Sequence, residues 1–278
     1  LQDGDFVDLD FTLNSDQRPA VLLIHGLEGS SNSAYITSLA HRFAERGWSV
    51  AAMNQRSCSE EMNRAPHLYH SGMIDDVAAA LSTLNREGLG RIALIGVSLG
   101  ANLVLNFLSR HPDPGEFGVA CGVGVAAPCD VPSSARALDA RSGKYYRRFF
   151  FRLLKRKLAR KLHQHPGLFS LTGYREIDSF WEYDRRYTAP LHGFPSVEAF
   201  YAAVSSRPHL SKISTPTMIL SCRDDPFLGP ECFPDSRDLA NEWLTPSYLP
   251  WGGHVGTVLW SGKRFERLFE VLTLEFVQ

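Results

Sequence analysis

The sequence predicts an α/β protein, with a mostly parallel central sheet flanked by helices and interrupted by a helical insertion. Three observations predict it. Short apolar runs alternate with helical patterns over residues 1–130. Strands covered on both faces read as continuous apolar runs, and their alternation with helices marks a parallel sheet. The alternation stops near residue 131 and resumes near 211, which gives a core of 1–130 and 211–278 around an insertion of 131–210. The composition is globular: 278 residues, 44% hydrophobic and 21% charged. That excludes disorder, collagen and coiled coil as descriptions of the whole chain.

The elements follow in order. Ala20–His25 (AVLLIH) reads as a buried strand, and Ser33–Arg46 as a helix closed by Gly47. Trp48–Met53 is a second strand. Met73, Ile74, Val77, Ala80, Leu81 and Leu84 recur at helical spacing, with Gly88 just past the end. Arg91–Gly96 is a third strand, Leu99–Arg110 a helix and Val119–Ala126 a fourth strand. The stretch 131–210 contains no obvious buried strand. Thr217–Ser221 restores the rhythm, followed by a helix around Ser236–Trp243, a short strand at Ser247–Leu249 and a last helix near Gly262–Phe276.

Charge and cysteine usage narrow the function classes. Lys+Arg is 29 and Asp+Glu is 30, so bulk charge gives nucleic-acid binding no support. Cys58, Cys121, Cys129, Cys222 and Cys232 include no CxxC pair, and their scatter suits reduced thiols in a cytoplasmic protein. The longest nearly apolar run, Gly118–Cys129, is short of the ~20 residues that span a bilayer. The N-terminus has no signal-peptide pattern; the chain begins with Leu1 rather than Met, which leaves an upstream segment or anchor open. His163 and His165 are a close pair without a third ligand, so no metal site is expected. No G-x-G-x-x-G or P-loop is present, and no organic cofactor is expected.

Gly96-Val97-Ser98-Leu99-Gly100 matches G-x-S-x-G where an apolar strand meets an amphipathic helix. A nucleophile elbow needs that setting. The sharp turn leaves no room for side chains at the flanking positions, hence Gly96 and Gly100. A serine hydroxyl needs an adjacent base, and His254 in Gly252-Gly253-His254-Val255-Gly256 is the candidate. An acid should orient the imidazole. Asp224 and Asp225, after the strand TMILS, both qualify by spacing. The order Ser…Asp…His is that of the α/β-hydrolase triad. The amides of Leu99 and of Leu27, in the His25-Gly26-Leu27 turn, are the expected oxyanion donors.

HGLEGSSNS, MNQRSCSEEMNRAPHLYHSG, GVSLGANLVL, YDRRYTAPLHGF, CRDDPFL and GGHVG together resemble the YheT-like branch of the α/β hydrolases, the AB hydrolase-4 family, over nearly the whole chain. The resemblance implies Ser98 as nucleophile, Asp225 as acid and His254 as base. It also implies hydrolysis of short- or medium-chain esters, acylglycerols or phospholipids. His25, Gly26, His70, His192 and Phe194 are the candidate substrate contacts. Serine at the elbow argues against dehalogenase and epoxide-hydrolase chemistry, whose relatives place Asp there. An acyltransferase with the same triad and a non-catalytic binding protein on this scaffold are the alternatives. Where relatives usually read R-G-C-S-G-E, this chain has Arg56-Ser57-Cys58-Ser59-Glu60-Glu61. A glycine position that needs positive φ would force the loop to be reshaped.

Residues 141–161 contain ten Arg or Lys and no Asp or Glu, so the rest of a chain of net charge −1 carries −11. Tyr146, Phe150, Leu154, Leu158 and Leu162 recur every fourth residue. Two readings compete for this amphipathic helix. The preferred one packs the apolar stripe on the core and leaves the basic face in water. The other places it against an anionic membrane as a peripheral contact.

Overall fold

The computed structural model describes residues 1–13, 19–111, 113–235, 241–260, 262 and 265–278. Seven strands form one sheet: β1 (Asp8–Thr12), β2 (Ala20–Ile24), β3 (Ser49–Asn54), β4 (Ile92–Val97), β5 (Val119–Val125), β6 (Thr217–Cys222) and β7 (Leu244–Leu249). Their order is β1-β3-β2-β4-β5-β6-β7. All neighbours are parallel except β1, which runs antiparallel to β3. β1 was not expected from sequence: Asp8, Asp10 and Thr12 alternate with Leu9 and Phe11 at a half-exposed edge, without the apolar run of a buried strand.

Pleating divides the strand residues between two cores. Ala20, Leu22 and Ile24 of β2 join Ile92 and Leu94 of β4 on one face. That face is covered by α2 (Ile74–Arg86) and α3 (Leu99–Arg110), through residues such as Leu81, Leu84, Val104 and Phe107. Val21 and Leu23 turn to the other face, against Ile36, Leu39 and Phe43 of α1 (Ala34–Glu45) and Phe269, Leu274 and Val277 of the C-terminal helix. Burial on both faces is why these strands read as unbroken apolar runs.

Between β5 and β6 every regular element is helical: α4 (Val131–Asp139), α5 (Lys144–Gln164), α6 (Phe180–Tyr183), one π-helical turn (Asp184–Thr188), α7 (Ala189–Leu191) and α8 (Val197–Val204), with short 3-10 turns. They share a third apolar cluster rich in aromatics, including Phe151, Tyr174, Phe180, Tyr183, Tyr187 and Phe200. We call this part the cap.

The C-terminal end departs from expectation. Residues Val258–Trp260 and Phe265–Arg267 form a two-stranded hairpin, β8 and β9. The last helix, α9, starts only at Leu268 and runs to Val277. Val258, Trp260 and Phe265 are β-branched and aromatic, and such side chains favour a pleated surface over a helix. The helix expected around Ser236–Trp243 falls mostly outside the described residues. The short strand at Ser247–Leu249 is the end of the longer β7.

Candidate active site

Strand β4 passes into α3 with one residue between them, Ser98. Its backbone is at φ 56 and ψ −122. A non-glycine residue held there costs ~1–3 kcal/mol and persists only where its surroundings over-determine it. Here they do. A Cβ on Gly96 would lie 2.1 Å from the Gly100 carbonyl oxygen, and one on Gly100 would lie 2.4 Å from that of Ile24. The Ser98 N–H donates to Val125 O at 2.8 Å, which ties the turn to β5.

The two aspartates after β6 are separated by geometry. Asp225 is buried, and its Oδ2 lies 2.7 Å from His254 Nδ1. Its Oδ1 accepts the Phe227 N–H at 2.8 Å, so the carboxylate is fixed at both oxygens. Asp224 is exposed and accepts the Gly253 N–H at 2.9 Å. That bond holds the histidine loop rather than the histidine. The Phe227 ring packs against the imidazole at a tilt, centroids 4.3 Å apart. With Nδ1–H donated to Asp225, Nε2 is left as the acceptor, the tautomer a general base needs.

Ser98 and His254 line one cavity, together with Leu27, Leu99, His70 and His192. Ser98 and His254 form no hydrogen bond with each other; catalytic hydrogen bonds of this kind are often long outside the Michaelis complex. Leu99 is the first residue of α3, so its N–H is one of the four at a helix start without an intrahelical partner. The cavity wall is largely apolar. Leu68, Leu138, Phe150, Leu154, Phe180 and Leu191 contribute to it, and most of these belong to the cap.

Three of the expected substrate contacts sit elsewhere. His25 is fully buried. Its Nδ1 donates to Gly26 O at 2.7 Å and its Nε2 accepts the Gln55 N–H at 3.2 Å. Both nitrogens are used inside the protein, and burial pulls its pKa down to about 4. Gly26 is a spacer, since a Cβ there would come within 2.9 Å of the Ser98 Cβ. Phe194 packs edge-on against the His70 ring, outside the cavity lining. His70 and His192 do face the cavity as a T-shaped pair, 4.4 Å between centroids. Burial holds both imidazoles neutral, His70 down to about 3.

Sequence reasoning missed two polar groups at this cavity. One is Asp184, in the π-helical turn of the cap. Its carboxyl accepts from Thr188 Oγ1 and from Tyr201 OH, and burial raises its pKa to about 7. The other is Glu28, next to the oxyanion candidate Leu27. Its Oε1 lies 2.7 Å from Lys157 Nζ and accepts the Tyr69 OH at 2.9 Å. Removing one partner of a buried ion pair costs ~3–5 kcal/mol. No local signal marked either: Asp184 stands among Glu182, Arg185 and Arg186, and Glu28 among glycines and serines.

Lys157 corrects the sequence reading of the basic helix. The inward face of α5 consists of Phe151, Leu154, Lys157, Leu158 and Lys161, and Tyr146 is 46% exposed. The apolar repeat every fourth residue drifts around a helix of 3.6 residues per turn, so its ends leave the buried face. Two of the ten cations are therefore internal. Lys161 Nζ donates to the carbonyls of Asn63 and Ala65.

The Arg56–Glu61 loop keeps the shape that glycine would favour. Ser57 sits at φ 61, and Glu60 is not in the left-handed region. The Ser57 hydroxyl bonds to the Asn63 side chain and accepts the Asn63 N–H, which helps hold the strained residue. Among the described residues, Asp3, Asp5 and His67 are the only group with metal-ligand spacing. The Arg56 guanidinium already lies among them, 2.9 Å from both Asp5 Oδ2 and His67 Nε2.

A family profile described as the alpha/beta hydrolase fold matches residues 19–250. The chain belongs to the α/β hydrolases. Within them it falls in the AB hydrolase-4 family. It is 34% identical over 264 residues to the Escherichia coli protein named "Putative esterase YheT", covering 93% of this chain and 77% of that one. It is 26% identical to a monoacylglycerol lipase of Saccharomyces cerevisiae, covering 88% of this chain and only 56% of the yeast protein. Among solved structures, the Pyrococcus furiosus esterase Pf2001 superposes with a TM-score of 0.58 at 16% identity, over 93% of this chain and 82% of that one. At that identity the likeness concerns the fold. The α/β hydrolase described here has no helix, among the described residues, long and apolar enough to cross a membrane. Its five cysteines are free thiols.

Proposed function

We propose that this α/β hydrolase is a serine carboxylic-ester hydrolase. One observation carries the reading: a strained elbow serine shares an apolar cavity with a histidine whose Nδ1 is fixed by a buried carboxylate. Ser98 Oγ attacks the ester carbonyl carbon as its proton passes to His254 Nε2. The N–H groups of Leu27 and Leu99 stabilise the oxyanion. His254 then protonates the departing alcohol, leaving an acyl-Ser98. Water attacks that ester, giving its proton to His254; the acid leaves and Ser98 Oγ recovers the proton. Asp225 orients the imidazole and stabilises its charged form.

The substrate class is read as short- or medium-chain esters, acylglycerols or phospholipids. Support comes from the apolar cap wall and from the esterase and lipase names of the relatives. Hydrolysis of p-nitrophenyl esters from acetate to laurate tests this. Ser98→Ala is expected to lower turnover by about 10⁶, and equal turnover in both proteins would overturn the assignment. Transfer of the acyl group to an added alcohol in preference to water would favour the acyltransferase alternative.

A specific observation also favours the peripheral membrane reading. Lys144, Arg148, Arg152 and Lys155 of α5 line one groove with Arg175 and a single carboxylate, Asp178, and these cations form no ion pair with a described residue. Tyr145 is 80% and Phe149 55% exposed on the same helix turns. Cations interleaved with exposed aromatics suit an anionic lipid surface. Sedimentation with anionic vesicles should weaken as salt rises. Equal binding to neutral vesicles would count against it.

A further inference from the structure

We infer that Lys157 of the cap is a positioning residue for the oxyanion amide of Leu27, acting through Glu28; the inference rests on the esterase reading above. Leu27 and Glu28 are the two central residues of a turn closed by Gly29 N–H to Gly26 O at 3.0 Å. A four-residue turn on the surface would be free to move by an ångström. In a site that stabilises charge through a preorganised donor, such a displacement can cost about 10²-fold in rate.

Anchors on both sides of Leu27 prevent it. Before it, the Gly26 N–H donates to Tyr35 OH at 2.9 Å. After it, Glu28 is held in the left-handed region at φ 55, which its own backbone does not favour. Its N–H donates to Tyr69 OH at 2.6 Å, and the same hydroxyl donates to Glu28 Oε1 at 2.9 Å. Lys157 Nζ completes the arrangement, 2.7 Å from that oxygen and 4.6 Å from the centre of the Tyr69 ring. It also donates to Cys58 Sγ at 3.1 Å. Burial alone would lower the pKa of this ammonium; the Cys58 thiol and Glu28 beside it raise it above its ordinary value, so Lys157 is a charged anchor.

Tyr35 and Tyr69 belong to the core; Lys157 is the cap's contribution. Glu28 and Leu154, one turn from Lys157 on α5, line the cavity with Ser98. The cap that shapes the acyl wall therefore also holds the turn that presents the donor.

The test compares wild type with Lys157→Met, Lys157→Arg and the double variant Lys157→Met/Glu28→Gln, on p-nitrophenyl butyrate. The oxyanion is absent from the bound substrate and develops only in the tetrahedral intermediate and its transition states, so a loosened donor lowers kcat and leaves KM nearly unchanged. Lys157→Met is expected to lower kcat ten- to a hundredfold with KM within threefold. Its affinity for an aryl trifluoromethyl ketone, which forms a tetrahedral adduct with Ser98, should fall by a similar factor. Lys157→Arg should recover part of both. A folded Lys157→Met with kcat within threefold of wild type overturns the inference, as does a KM that rises as much as kcat falls. If the single variant does not fold, the double variant, which has no unpaired buried charge, carries the same expectation, and full activity there overturns it. Wild-type turnover that survives Ser98→Ala overturns the esterase reading and this inference with it. Ser98-dependent turnover that is indifferent to Lys157 overturns this inference alone.

Discussion

On the sheet, every candidate catalytic group stands just past the end of a parallel strand. Leu27 follows β2, Ser98 follows β4, Asp225 follows β6 and His254 follows β7. On the cap, the groups that face the same cavity come from helix flanks: Phe150 and Leu154 on α5, Asp184 in a π-helical turn, Leu191 on α7. The sheet fixes its groups through main-chain ladders and through backbone contacts at the elbow. The cap fixes its groups through side-chain packing and one buried ion pair. The sheet side should therefore govern whether the bond breaks, and the cap side how well the site is held and what it accepts.

Asp225→Asn is the largest of the remaining effects and would break the comparison if absent. Replacing the orienting carboxylate should lower kcat by about 10⁴. Asp224→Asn, which loosens only the loop amide, should stay within tenfold. Steady-state kinetics on a soluble ester reads both, and the reverse order would assign the acid to Asp224.

On the cap, Asp184→Asn should change stability more than rate, and the change depends on pH. The folded-state pKa of Asp184 is raised to about 7 from an ordinary 3.8, chiefly by burial. The folded protein therefore holds this proton between pH 4 and 7 where the unfolded chain has lost it. Its stabilising contribution is complete below pH 4 and is lost as pH rises through 7. Asparagine does not titrate. Its stability relative to wild type should thus climb from pH 4.5 to pH 8 in thermal melts; a constant difference would mean the carboxyl is already ionised in the folded cap. His70, with a pKa depressed to about 3, works in the opposite sense. It is neutral when folded, so its contribution is present above pH 6.5 and is lost on acidification. Both proteins should weaken alike on that limb.

Ser57→Gly should have the smallest effect. Glycine relieves a left-handed residue of strain worth ~1–2 kcal/mol. It also removes the hydroxyl that bonds Asn63, worth about 1 kcal/mol, and adds freedom to the unfolded chain. The net change should be under about 1 kcal/mol. A larger gain in Tm would mean the hydroxyl contributes little.

Most of the sheet was legible in the sequence, because burial on both faces leaves an apolar run that local reading detects. The edge strand β1 was not, since it is half exposed and alternates. The β8–β9 hairpin was not, since its exposed Trp260 and Phe265 resemble the apolar positions of a helix. For the site, G-x-S-x-G and GGHVG were legible because a tight elbow and a glycine loop restrict residue type locally. Asp224 and Asp225 were equivalent by spacing; the family resemblance pointed to Asp225, and it is Asp225 that lies against His254.

The sequence by itself determined the alternating α/β order, the helical interruption, the serine at a strand–helix junction and the absence of a long apolar run. Each depends on neighbours a few residues away. Spacing left Asp224 and Asp225 open and the family resemblance pointed to Asp225; only the tertiary structure decided that its carboxylate lies against His254 Nδ1, that His25 spends both ring nitrogens inside the core, and that Lys157 leaves a basic stretch to hold Glu28. Those contacts join residues 29, 30 and 129 positions apart. A charge in sequence carries no sign of whether its partner is water or a carboxylate brought to it by the fold.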